Sequence, residues 1–434
     1  MAALKQSNKR LTLKAKQLAH ECPAWCLAWL PDPDQDIIFT GGADGTIKRW
    51  NISGTASKHA DLFEDNDGDS NMNGKQENKS NDETDIVFEL TNTGKKSVGI
   101  SPITDIKCVP VQGAPNNYLL STVSVDSFVR VYAINTNNSK LYQSNQNRNK
   151  YGNGNDENSA GIDEYKTYDM NERHKVYLCD QNGNRSPARD LEQYGGCWSS
   201  DINSDCSIIA TGDQFGQIYL WSLYSEDDSK KIPTVLQAQV PLVKLHLKGQ
   251  QKQQQSQPKL LRGAHAMVRG VTFNRRNPNL LAVSCQEAQR VEVFDIEKCV
   301  SIFSRKLTYK EIRDCVWHDG SDAAYLCVGC DDNFVHVYDT GHNKKNSKKA
   351  LVASLASHKS CVTSVDFGKK QYVASGSMDN TVKLWDLTGK NDDKLIETHT
   401  DHSDQVWRVR FNEKKDKLAS IGDDGYLCLY TMKY

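Results

Sequence analysis

S-H-K-S-C-V-T-S-V-D-F, residues 357–367, is followed by Y-V-A-S-G-S-M-D-N-T-V-K-L-W-D-L, residues 372–387. Apolar and polar side chains alternate along these runs, which is the period of a strand with one buried face. An Asp-Asn pair between two such runs supplies the turn of a hairpin. The pattern returns as D-H-S-D-Q-V-W-R-V-R-F, residues 401–411, and K-L-A-S-I-G-D-D-G-Y-L-C-L-Y, residues 417–430. Each copy has a head histidine, two alternating runs, a turn of Asp with Asn or Gly, and a third run closing on Trp385 or Tyr430.

Anchored on the closing aromatic, the pattern is found seven times, at Trp50, Tyr132, Trp221, Phe294, Tyr338, Trp385 and Tyr430. Six positions earlier stand Asp44, Asp126, Phe215, Ala288, Asp332, Asp379 and Asp424, so repeats three and four lack the turn aspartate. His20, His265, His358 and His402 head their repeats, whereas repeats two, three and five have no histidine there. This period, with its S-H start and W-D finish, resembles the WD40 repeat, each copy of which is one four-stranded propeller blade. The expected fold is therefore all-β: one seven-bladed WD40 β-propeller, with repeats at about 19–52, 99–134, 195–223, 262–296, 309–340, 355–388 and 399–434. A closed ring suits a strand-rich chain because it removes exposed sheet edges. The last repeat stops after its third run, and R-L-T-L-K-A-K-Q-L, residues 10–18, alternates Leu11, Leu13 and Ala15. That segment is expected to supply the missing outer strand and close the ring.

Seven blades of about 40 residues need roughly 300 of the 434. The excess falls in three insertions, 55–84 with the acidic tract D-L-F-E-D-N-D-G-D, 136–173, and 225–258 ending in a Gln-rich run. All three lack apolar periodicity and read as long disordered loops. The first is expected to precede an outer strand at 86–90, the second one at 175–179, and the third to lead into the outer strand of blade three. A net charge of -1 gives no electrostatic drive toward nucleic acid. No run is long and apolar enough to cross a bilayer, and the polar first ten residues suggest neither signal peptide nor anchor. Thirteen cysteines in such a chain are expected to be reduced thiols, mostly small core residues.

His358, Ser375, Asp379 and Trp385 hold the letters of a hydrolase triad, yet they recur as a repeat motif. They are expected to form a buried structural tetrad in which each polar group finds a partner. Cys327 and Cys330 form a C-x-x-C, but strand residues three apart face opposite ways, so metal binding by this pair is not expected. Neither a phosphate-binding loop nor a dinucleotide fingerprint nor a zinc-protease helix is present, so no cofactor and no catalytic residue is assigned. The functional signal lies instead in H-x-x-x-V-x-x-V, where the residue after the first V sits on the innermost strand and faces the channel mouth. Counted through the repeats, this rim is Trp25, Thr104, Trp198, Arg269, Arg313, Thr363 and Trp407. Three tryptophans and two arginines are the residue types that dominate binding hot spots. Ala43, Val125, Asp331, Met378 and Asp423, just before the turns, should border the same face.

Within the repeats, A-H-E-C-P-A-W-C-L-A-W at 19–29, C-W-S-S-D-I at 197–202, and D-H-S-D-Q-V-W-R-V-R-F followed by I-G-D-D at 421–424 resemble one family. It is the seven-bladed WD-repeat subunit of the superkiller (Ski) complex, found in animals also in the RNA-polymerase-II-associated factor complex. The resemblance implies a non-catalytic adaptor in cytoplasm and nucleus whose top face docks motifs of a tetratricopeptide scaffold beside an RNA helicase, in exosome-linked mRNA decay or transcription elongation. Trp25, Trp198 and Trp407 would be the docking residues. A WD40 receptor in another assembly, such as a ubiquitin ligase or a histone-modifying complex, predicts a rim that selects a different peptide. An enzyme on the same fold predicts converging carboxylates or metal ligands in the channel, and the counted rim positions hold none.

Overall fold

A computed structural model describes residues 10–56, 86–97, 101–125, 129–136, 196–214, 218–223, 243–245, 267–285, 289–298, 300–306, 310–318, 325–341, 350–389 and 394–434. They form twenty-seven strands, with no α-helix among the described residues. Strand β1 (Leu11–Leu18) precedes a first sheet of β2 (Ala24–Trp29), β3 (Ile37–Gly42), β4 (Thr46–Ala56) and β5 (Ile86–Ser97). The second set is β6 (Ile103–Pro110), β7 (Asn117–Ser124) and β8 (Val129–Asn135), and the third β9 (Cys197–Ile202), β10 (Ile208–Asp213), β11 (Ile218–Ser222) and β12 (Val243–Leu245). Next come β13 (Val268–Phe273), β14 (Leu280–Cys285), β15 (Arg290–Asp295) and β16 (Val300–Lys306), then β17 (Ile312–Trp317), β18 (Tyr325–Cys330), β19 (Phe334–Asp339) and β20 (Leu351–Ala356). The last two sets are β21 (Val362–Phe367), β22 (Tyr372–Ser377), β23 (Val382–Asp386) and β24 (Leu395–His399), and β25 (Val406–Phe411), β26 (Lys417–Gly422) and β27 (Tyr426–Met432).

Six of these sheets have four antiparallel strands and one, β6-β7-β8, has three. The described residues therefore complete six blades rather than the seven expected, and the second repeat contributes a three-stranded sheet. Its expected outer strand at 175–179 lies outside the described residues. β1 pairs with β27 along its length, from Leu11 opposite Met432 to Leu18 opposite Tyr426, and so gives the last sheet its fourth strand. The N–H groups of Arg10 and Leu11 also donate to the Glu397 carboxylate on β24, so the segment is tied to the neighbouring blade as well.

Two insertion boundaries differ from expectation. β4 continues through Thr55 and Ala56, which pair with Val87 and Ile86, so the first insertion begins later than residue 55. The outer strand of the third blade, β12, lies inside the 225–258 insertion rather than after it. Its V-K-L-H-L alternation is a strand signal that the surrounding Gln-rich composition conceals. Apart from Thr136, the remainder of the three insertions lies outside the described residues.

Turn chemistry and packing explain the repeat. Asp44, Asp332, Asp379 and Asp424 each accept the backbone N–H two residues on, from Thr46, Phe334, Thr381 and Tyr426 at 2.9 to 3.1 Å. Between them Gly45, Asn333, Asn380 and Gly425 take φ of 68°, 71°, 64° and 71°, the left-handed region that Gly and Asn enter most easily. Each neighbouring pair of sheets then buries an apolar cluster, for example Cys26, Phe39 and Ile47 with Ile103, Ile106 and Leu120. The cluster of Leu27 and Trp50 with Ile421 and Leu429 joins the last sheet to the first and closes the ring. Close approach demands glycine here: a Cβ on Gly376 would stand 2.8 Å from Val406 Cγ1 of the next blade.

Candidate functional site

In every innermost strand the pairing with its neighbour slips by one residue, and the residue skipped is the rim residue. Ala24 opposes Gly42 and Cys26 opposes Gly41, which leaves Trp25 unpaired. The same slip leaves out Thr104, Trp198, Arg269, Arg313, Thr363 and Trp407. A β-bulge re-aims the side chain it carries. Here seven bulges aim seven side chains at one cavity of about 190 Å³, lined by these residues together with Arg408.

Their surroundings divide them. Trp407 donates its indole N–H to Asp423, and Trp25 also bonds this carboxylate. Burial, with Asp404 and Asp424 nearby, pushes Asp423 above the usual carboxylate range despite those donors. Arg313 makes a two-pronged pair with Asp331, Nε to Oδ1 and Nη2 to Oδ2, both at 2.7 Å. Arg269 lies 4.8 Å over the Trp198 ring, a cation–π distance. Burial, and then the neighbouring Arg313 and Arg408, lower the Arg269 pKa to about 10. Thr104 donates its hydroxyl to Val123 O and to Cys197 O at 2.8 Å, and Thr363 to Gly376 O and Val406 O. The two threonines thus staple neighbouring blades at the rim, and their hydroxyls are committed to backbone.

The sequence count missed what lies beneath. Arg408 reaches across the channel to Asp105 of the second sheet at 3.3 Å and to Asp314 of the fifth at 3.4 Å, while Arg410 meets Asp314 at 3.0 Å. Asp105 also accepts from Ser199 Oγ and Ser200 N, and Asp314 from Ser364 Oγ and Val365 N. Burial disfavours a charged Asp314, but Arg410 and Arg408 outweigh it and hold its pKa below the usual range. The channel therefore does contain carboxylates, one residue past the rim. They are bonded to arginines, serine hydroxyls and backbone N–H groups, arranged as a floor under the cavity rather than as an acid–base pair. Charged residues recurring on strands that line a closed ring were the available signal.

The fold brings His358, Ser375, Asp379 and Trp385 together. His358 bonds Asp379 through Nδ1 at 2.9 Å and Ser375 through Nε2 at 2.7 Å, and Trp385 donates its indole N–H to Ser375 at 2.8 Å. Burial keeps the His358 pKa below its ordinary value against the pull of Asp379. His20 with Thr40, Asp44 and Trp50 repeats this arrangement, and His402 bonds Ser420 and Asp424 in the same way. His265, Asp126, Phe215 and Ala288 lie outside the described residues. In the fifth repeat His336, on the third strand, replaces the missing head histidine, bonding Asp332 at 2.8 Å and Ser354 at 2.9 Å. Cys330 joins that group, with one donor atom from each of Cys330, Asp332 and His336 within 4.8 Å of one another. These three, rather than Cys327 with Cys330, are the donors that could meet a cation there. The existing His336–Asp332 bond already satisfies both side chains.

Residues 11–51, 349–386 and 393–431 match the model of the WD domain, G-beta repeat. These are the three repeats in which head histidine and turn aspartate are bonded. The probable coatomer subunit beta' of Schizosaccharomyces pombe is 26% identical over 171 residues, 39% of this chain and 20% of that protein. Superkiller complex protein 8 of Dictyostelium discoideum is 33% identical over 90 residues, 20% of this chain and 29% of that protein. The E3 ubiquitin-protein ligase COP1 of Arabidopsis thaliana is 28% identical over 160 residues, 37% of this chain and 22% of that protein. The chain thus covers less than a third of the length of each of these relatives. Together the repeat match, the bonded tetrads and the ring of antiparallel sheets make this chain an all-β WD40 β-propeller.

Proposed function

We propose that the chain is a non-catalytic scaffold that docks peptide motifs of partner proteins on the face bearing Trp25, Trp198, Trp407, Arg269 and Arg313. The observation that carries this reading is the convergence of seven bulged residues on one cavity. Three half-buried indoles there have little core to fill, and covering them with a partner removes apolar surface from water. Among assemblies, the superkiller complex is the one we favour, on the Q-V-W and G-D-D segments and on the similarity to superkiller complex protein 8. Its partners would then be a tetratricopeptide scaffold and an RNA helicase, with sites of action in cytoplasm and nucleus. The similarity to a ubiquitin-protein ligase supports a second reading, a receptor that presents a substrate peptide at the same face.

Affinity purification in mild salt, with co-purifying chains identified by mass, separates the two when run beside the variant carrying Trp25→Ala and Trp407→Ala. A helicase and a tetratricopeptide protein lost from the variant support the superkiller reading. Ubiquitin-ligase chains support the second. Partners that bind the variant undiminished refute the rim as the docking face.

A further inference from the structure

The cavity offers hydrogen-bond donors that nothing among the described residues accepts. The buried indole N–H of Trp198 and the buried Nε–H of Arg408 have no acceptor among the described residues. Both belong to the wall of the cavity, whose lining holds three guanidinium groups and no carboxylate. A buried donor without an acceptor keeps the full cost of leaving water. Two in one wall, beside the Arg269 guanidinium stacked on Trp198, mark a place for oxygen acceptors brought from outside.

Size and charge narrow the occupant. About 190 Å³ is below the roughly 300–1,000 Å³ of pockets that enclose small-molecule ligands. At roughly 30 Å³ per water it holds about six waters, the room of one or two side chains. Arg313 is already matched by Asp331, and Arg408 by Asp105 and Asp314, so the excess positive charge of the lining is small. A monoanionic carboxylate suits that excess better than a dianionic phosphate. On the opposite side Trp25 and Trp407 have their indole N–H groups bonded to Asp423 and leave their ring surfaces for apolar contact.

We infer that the partner segment inserts an Asp or Glu side chain beside Trp198, Arg269 and Arg408, and lays a neighbouring aromatic or large aliphatic residue against Trp25 and Trp407. The inference rests on the docking reading above and names the chemistry of what docks. Carboxylate oxygens would accept from the Trp198 indole and the guanidinium edges, and desolvation in the cavity strengthens each such bond.

The test is selection of peptides from a random display library against the full-length chain, followed by titration of the selected sequences. Enrichment of Asp or Glu next to Trp, Phe, Tyr or Leu is expected, with binding that weakens as salt rises. Arg269→Gln in the protein, and Glu→Gln or Asp→Asn in the peptide, should each weaken binding on the order of tenfold, the scale of one charge-assisted hydrogen bond. Both changes together should weaken it little more than either alone, because they remove the same contact. Trp407→Ala should weaken binding as well. Selected peptides that need Trp407 but carry no acidic residue, or that ignore Arg269→Gln while the variant melts as the parent does, overturn this inference and leave the docking reading standing. No selected peptide sensitive to either Trp407 or Arg269 overturns both.

Discussion

Ser375→Ala is the substitution whose consequence can be worked most completely from the geometry. Its hydroxyl is the hub of the tetrad, accepting the Trp385 indole N–H at 2.8 Å and bonding His358 Nε2 at 2.7 Å. Both neighbours stay buried when it is removed, with Trp385 1% exposed and the His358 side chain fully covered. Two buried polar groups then lack partners, each at about 1–3 kcal/mol, so the expected loss is about 2–6 kcal/mol. Ser420 provides an internal comparison. It bonds His402 Nε2 at 2.7 Å, but the closing residue of its repeat is Tyr430 and there is no indole to strand. Ser420→Ala should therefore cost about 1–3 kcal/mol, roughly half as much. Urea unfolding followed by tryptophan fluorescence reads both, as a lowered midpoint at unchanged slope. A Ser375→Ala chain within about 0.5 kcal/mol of the parent would refute the hub argument, as would equal losses at the two serines.

Three further outcomes follow from the same geometry. Arg408→Met leaves Asp105 without its arginine while Asp314 keeps Arg410, and breaking such a buried charge pair should destabilise by about 3–5 kcal/mol in the same urea assay; a neutral result would mean the floor carries no structural weight. Leu11→Ala removes a fully buried side chain from the β1–β27 seam and should lower stability by about 2–5 kcal/mol, while Leu18→Ala, at 43% exposure, should change it by less than about 0.5 kcal/mol. Acidification should weaken the fold in two stages. His358 has a native pKa below 6.5, so the unfolded chain takes up its proton first and stability falls as pH drops from 6.5 through the native value. Asp44, Asp332, Asp379 and Asp424 have native pKa values below 3.8, so their contribution is complete above that pH and is lost as pH falls further. Stability that rises between pH 6 and pH 5 would contradict a neutral buried His358.

What could be read in the sequence, and what could not, divides along the range of the interactions. The tetrad was legible because each member is fixed by a turn or a strand period within one repeat. His358 and Trp385 enclose Ser375 and Asp379 at set spacings, and the alternation brings them to one face. The rim was legible for a subtler reason. Counting from the first valine placed one residue per repeat, and the same bulge in all seven inner strands converts that spacing into a common direction. What escaped depends on partners far away in the chain. Arg408 is an ordinary alternating residue until the ring closes and places it against Asp105 and Asp314, some three hundred and one hundred positions away. His336 escaped because it performs a head histidine's role from the third strand, where the sixth repeat has Lys383, so no fixed-position count could find it. β12 escaped because three residues of strand pattern are too short to outweigh their setting, and only the edge of β11 decides where they pair. The two kinds of feature meet in the cavity. Local repeat geometry aims tryptophans and arginines at one point, and ring closure beneath them fixes the charges of Arg408 and Asp314. A change to the floor should therefore alter what the rim binds even where no rim residue is touched.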